Sequence, residues 1–185
     1  FLQLVLYPKD RAAYAALLET GVAPDKVIIA GDSAGGGTTV ATALKALDVG
    51  LPMPAGLALL SPWVNLENNG WSFAERGPRD PMITQASIDR MAQLYLNGAD
   101  PRARYASPVH ADLSGLPPVL IQVGPDEMLL SDSTLLAERA GAANVDVTLE
   151  IWPDMFHVFQ ALYPFLPQAR DAVARIGAWG AQKTA

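Results

Sequence analysis

A serine set among glycines is the first place in this sequence where chemistry can begin. Lys26-Val-Ile-Ile-Ala-Gly31-Asp-Ser33-Ala-Gly35-Gly36-Gly37 reads as a short β-branched strand, a turn of small residues, and then a helical pattern carried by Val40, Leu44 and Leu47. The core of that stretch is G-x-S-x-G. A turn this sharp strains the serine backbone, and only small residues two before and two after it avoid a clash, which assigns Gly31 and Gly35. The turn lifts the Ser33 hydroxyl above the sheet at a helix N-terminus, and aims the Ala34 N–H at an oxyanion forming on a substrate carbonyl. The competing reading is a phosphate cradle. It lacks support, because neither the G-K-[ST] of a P-loop nor G-x-G-x-x-G is present.

A serine is inert at neutral pH without a general base, and histidine is the side chain whose ordinary pKa suits that task. The sequence has two. His110, in Ser107-Pro-Val-His-Ala-Asp-Leu, falls in an irregular stretch and reads as a surface or packing residue. His157 follows the last expected strand in Ile151-Trp-Pro-Asp-Met-Phe-His-Val-Phe, on the same sheet edge as Ser33, and is the expected base. The acid should lie on that edge between the two, in the Ser, Asp, His chain order of hydrolases built on such an elbow. Asp126 follows its strand directly in Val123-Gly-Pro-Asp-Glu-Met-Leu and is the expected acid. Glu127 and Asp132 sit farther from the strand end, and Asp154 would have to fold back on the histidine's own loop.

Five apolar runs bounded by turn residues supply the strands that position these groups: Leu2–Leu6, Lys26–Ala30, Gly56–Leu60, Val119–Val123 and Val145–Ile151. Helical patterns lie between and after them, at Arg11–Glu19, after the glycines, at Leu129–Gly141 with a glycine stop, and at Gln168–Trp179. Alternating strands and helices predict an α/β fold, a mostly parallel sheet flanked by helices, in a single domain spanning 1–185. Residues 62–118 break the alternation. They form a strand-free insertion with one helix near Thr84–Leu96, expected over the C-terminal strand ends where ligands bind. Trp63, Trp71, Phe73, Met82 and Ile83 of this insertion are candidates to line an apolar slot, with ordinary packing as the alternative for each.

Composition narrows the function classes. Half of the 185 residues are hydrophobic and 17% are charged, the balance of a globular chain. The net charge is −6 with no basic cluster, so nucleic acid is an unsuitable partner. The absence of cysteine removes disulfides, thiol nucleophiles and thiolate metal sites. No apolar run reaches the roughly 18 residues of a membrane span. A chain without thiols suits any redox environment, and the expected placement is the cytoplasm.

These residues together resemble the bacterial hormone-sensitive-lipase-like esterases of the α/β-hydrolase superfamily. The resemblance runs through Gly31-Asp-Ser-Ala-Gly-Gly, Ser61-Pro-Trp-Val, Asp80-Pro-Met-Ile-Thr, Asp112-Leu-Ser-Gly-Leu-Pro-Pro, Asp126-Glu-Met-Leu-Leu-Ser-Asp and His157. It implies hydrolysis of small, short-acyl carboxylic esters by a Ser33, Asp126, His157 triad, without cofactor or metal. The family also has a His-Gly-Gly-Gly loop upstream of the elbow that completes the oxyanion hole, and no such motif precedes Gly31 here. The expectation is of a sheet truncated on its N-terminal side, completed by further chain or by a second copy in a homodimer. A ligand-binding protein without turnover, or an inactive fragment on the same fold, is the alternative function.

Overall fold

A computed structural model describes residues 10–185. Ten regular elements follow in order: α1 (Asp10–Glu19), β1 (Ile28–Asp32), α2 (Ala34–Asp48), β2 (Gly56–Leu60), α3 (Trp71–Arg76), α4 (Gln85–Leu96), β3 (Val119–Val123), α5 (Leu130–Ala142), β4 (Val147–Ile151) and α6 (Pro167–Lys183). The four strands form one parallel sheet in the order β1-β2-β3-β4. Each crossover brings the chain back to start the next strand at the same edge, so all four C-terminal ends open on one side. That common edge is what gathers the site. The expected strand Leu2–Leu6 lies outside the described residues.

Burial follows position in the sheet. Every residue of β3 is buried, as a central strand covered on both faces requires, whereas β4 leaves Ile151 exposed. The larger core cluster joins Val40, Ala43 and Leu44 of α2 to Leu57 and Leu59 of β2, Ile121 of β3 and Leu136 of α5. Each large aliphatic side chain buried this way contributes about 1.5–3 kcal/mol. On the opposite face Ile176 and Trp179 of α6 cover Ala58 and Leu120. No helix among the described residues is long and apolar enough to cross a membrane.

Element limits depart from expectation in physically instructive ways. Gly141 does not stop α5. The helix passes through it to Ala142, and the left-handed turn falls on Asn144 (φ 61°), where the Val145 N–H reaches back to the Ala140 carbonyl. The insertion holds the short α3 as well as α4. Helix α4 starts at a capping box in which the Thr84 hydroxyl accepts the Ser87 N–H and the Ser87 hydroxyl accepts the Thr84 N–H.

The insertion has its own small core. Trp63, Leu66, Phe73, Ile88 and Ala92 pack on Met128 and Leu129, with Ile83 at the margin. Trp63, Phe73 and Ile83 are thus packing residues of this cluster, while Trp71 and Met82 are exposed. The cluster presses on the turn after β3, the segment from which the acid was expected.

Candidate active site

The serine sits where strand β1 becomes helix α2. Ser33 has φ 51° and ψ −120°, a conformation disfavoured for any residue with a Cβ. Its neighbours hold it there: the Ser33 N–H donates to the Leu60 carbonyl at 2.9 Å, and the Ser33 carbonyl accepts the Trp63 N–H at 2.8 Å. The two flanking glycines have different reasons to be small. A Cβ on Gly31 would stand 2.3 Å from the Gly35 carbonyl oxygen and 2.7 Å from the Thr39 hydroxyl. A Cβ on Gly35 would meet nothing within 4 Å among the described residues. The expectation that both must avoid a clash is corrected for Gly35, whose backbone is the object that crowds Gly31. Gly37 is constrained instead, since a Cβ there would lie 2.1 Å from the Trp63 carbonyl.

His157 approaches from the loop after β4. Its Nε2 is 3.0 Å from Ser33 Oγ, and the ring is 5% exposed, so little water competes for that contact. The other ring nitrogen, Nδ1, lies 3.3 Å from Oε1 of Glu127. Nδ1 facing a carboxylate fixes the tautomer with its proton on Nδ1, which leaves Nε2 as the acceptor for the serine proton.

Asp126, the expected acid, is elsewhere. Its carboxylate faces solvent and pairs with Arg79 at 3.1 Å, both side chains about half exposed, and among the described residues it is Glu127 rather than Asp126 that meets the imidazole. The adjacent Glu127 is fully buried. Successive residues of the turn send their side chains in different directions. The Asp126 N–H bonds the Met155 carbonyl of the histidine loop, and it is the next residue whose side chain enters the site. The carboxylate that faces His157 is therefore Glu127 and not the expected Asp126.

Glu127 is well supplied with donors, as a buried carboxylate must be. Its Oε2 accepts the Gly124 N–H and the Ser61 hydroxyl, each at 2.9 Å. The turn that carries it is pinned from the insertion. Asp80 accepts the Met128 N–H with one oxygen and the Met82 and Ile83 N–H groups with the other, and the Ser72 hydroxyl donates to the Met128 carbonyl.

The remaining candidates are structural. Asp132 is buried and accepts the Val64 and Asn65 N–H groups at 3.0 Å each; burial pushes its pKa up to about 7, against the effect of those two donors. Asp154 takes a left-handed turn conformation. His110 faces Asn65 Oδ1 and Glu67 Oε2, each at 3.2 Å, and burial holds its pKa below the ordinary histidine value.

A parallel sheet with a strained serine between β1 and α2, and a histidine and carboxylate on the later loops of the same edge, defines the α/β-hydrolase class. A family model described as "alpha/beta hydrolase fold" matches residues 7–161, and the chain belongs to that family. The chain is 48% identical over 169 residues to a protein named acetyl-hydrolase from Streptomyces hygroscopicus, covering 91% of this chain and 56% of that one. An esterase from Acinetobacter venetianus is 35% identical over 167 residues, covering 88% and 54%. Among solved structures, a hormone-sensitive-lipase homologue from a metagenome library, EstE7, superposes with a TM-score of 0.93 at 51% identity, covering 95% of this chain and 60% of that one. EstE5 soaked with p-nitrophenyl butyrate superposes with a TM-score of 0.92 at 47% identity, covering 94% and 58%. The resemblance to bacterial hormone-sensitive-lipase-like esterases is borne out. The chain spans about half the length of the curated relatives it matches.

Proposed function

We propose that this chain carries the catalytic machinery of a serine carboxylesterase for small, short-acyl esters, with Ser33 as nucleophile, His157 as base and Glu127 as acid. One observation carries the reading: a single imidazole lies within hydrogen-bond reach of both the strained serine and a buried carboxylate. The relatives named acetyl-hydrolase and esterase support the reaction class.

In this mechanism Ser33 Oγ attacks the ester carbonyl while His157 Nε2 takes its proton. Charge then builds on the carbonyl oxygen, where the Ala34 N–H at the start of α2 serves as a donor. The imidazolium is stabilised by Glu127, whose own charge is balanced by the Gly124 and Ser61 donors. His157 returns the proton to the departing alkoxide, leaving an acyl-serine. Water, activated by the same nitrogen, repeats the sequence and releases the acid.

The test is hydrolysis of p-nitrophenyl esters of increasing acyl length, with Ser33→Ala as control. The reading predicts a rate highest for short chains and abolished by the substitution. Activity that survives Ser33→Ala, or that rises with acyl length, contradicts it.

A further inference from the structure

Ser61 enters the steps above only as a donor to Glu127, yet its hydroxyl is also the junction at which the acid turn and the histidine loop meet. It follows the last residue of β2, is fully buried, and extends the ladder by donating its N–H to the Gln122 carbonyl at 2.7 Å. Its hydroxyl has one hydrogen, given to Glu127 Oε2 at 2.9 Å, and a lone pair that accepts the Val158 N–H at 3.1 Å. Val158 is the residue after His157. The backbone beside Ser61 holds the third member: the Leu60 carbonyl accepts the Ser33 N–H, and the Trp63 N–H donates to the Ser33 carbonyl. The turn through Ser61 is therefore bonded to the serine directly, to the carboxylate directly, and to the histidine through its neighbour.

The backbone supports a reason beyond packing. Ser61 has φ 47° and Val158 has φ 51°, so two residues without glycine's freedom are held left-handed at the two ends of one hydrogen bond. Strain of this kind persists only where surrounding contacts over-determine it. At Ser61 those contacts are the ones made by its hydroxyl and its ladder N–H.

We propose, building on the hydrolase reading, that Ser61 is a positioning residue: its hydroxyl fixes the Glu127 carboxylate so that Oε1 faces His157 Nδ1, and fixes the loop so that Nε2 reaches Ser33. Without the hydroxyl, Glu127 Oε2 keeps only the Gly124 donor and the Val158 N–H loses its acceptor.

The test uses Ser61→Gly beside Ser61→Ala. Glycine removes the hydroxyl but is at ease at positive φ, so it separates lost chemistry from lost stability. The readouts are the rate at which a fluorophosphonate modifies Ser33, and the low-field proton resonance of His157 Nδ1–H, which reports its bond to Glu127 independently of turnover. A hydrogen bond to a charged group corresponds to on the order of 10- to 100-fold. Both variants should lose about that factor in modification rate, with the resonance broadened or shifted, while Ser61→Gly melts at or above the Ser61→Ala temperature. A Ser61→Gly chain that keeps both the parent rate and the parent resonance overturns the proposal. Absence of Ser33 modification in the parent chain would count against the hydrolase reading alone, because the resonance comparison still decides the role of Ser61.

Discussion

Glu127 Oε1 stands 3.3 Å from His157 Nδ1, although the two residues come from different loops and Glu127 is fully buried beside an exposed aspartate. The neighbouring Asp126 reaches outward to Arg79, so two consecutive carboxylates have separate duties. Replacing Glu127 by Gln keeps the shape but offers an amide to the imidazole, which favours the wrong tautomer. Loss of the carboxylate in comparable triads costs on the order of 10⁴ in turnover. We expect Glu127→Gln to lower ester hydrolysis by roughly 10²–10⁴. Asp126→Asn removes only a solvent-exposed ion pair of the sort that contributes about 0–1 kcal/mol and should leave the rate within about threefold. Parallel rate measurements on the two variants check this.

The two glycines of the elbow should respond oppositely to alanine. Gly31→Ala forces a methyl to 2.3 Å from the Gly35 carbonyl, and the backbone on either side has nowhere to go, so a lowered melting temperature and little folded protein are expected. Gly35→Ala places its methyl more than 4 Å from any neighbour among the described residues, within α2, where alanine is better than glycine by up to about 1 kcal/mol. Thermal melts of the two variants decide between this account and one in which both positions require glycine for the same reason.

The backbone of Ser33 stores strain. At φ 51° and ψ −120°, a residue with a Cβ is held at a cost on the order of 1–3 kcal/mol. Ser33→Gly and Ser33→Ala both remove the hydroxyl, yet only glycine relaxes the backbone. The glycine variant should unfold later than the alanine variant by about 1 kcal/mol in chemical denaturation. Equal stabilities would mean that the turn is not strained at this position.

Asp132 gives the fold a pH dependence. Burial raises its folded pKa to about 7, well above the value in an unfolded chain, so the native state binds the proton more tightly. Between those two values the unfolded state carries fewer protons on this residue, and stability from this group falls as pH rises from about 4 to about 7. Asp132→Asn removes the titration while an amide oxygen can still accept the Val64 and Asn65 N–H groups. Denaturation across that pH range should show the parent chain losing stability relative to the variant as pH increases.

Much of this architecture was legible in residue patterns. Gly56–Leu60 and Val119–Val123 are short apolar runs between turn residues, and each forms the expected strand with the expected limits. The approach of Ser33 to His157 was legible because both follow strands of a parallel sheet, whose C-terminal ends share one edge. The choice between Asp126 and Glu127 was not, since distance from a strand end does not say which way a turn residue points. A clue lies in the neighbours. Glu127 adjoins the apolar run Met128-Leu129-Leu130, all buried, and a carboxylate leading into such a run is carried inward with it. Gly141 misled for a related reason: a glycine near a helix end marks a stop only when the chain needs a left-handed residue there, and Asn144 fills that need.

The central claim is that Ser33 is the nucleophile of an acyl-transfer site, and covalent capture tests it most directly. The 185-residue chain would be treated with a fluorophosphonate and the modified peptide read by mass spectrometry, beside Ser33→Ala and His157→Ala. The account predicts one adduct, on Ser33, absent in Ser33→Ala and strongly slowed in His157→Ala. A folded chain that takes no adduct, or takes it on another residue, contradicts the account.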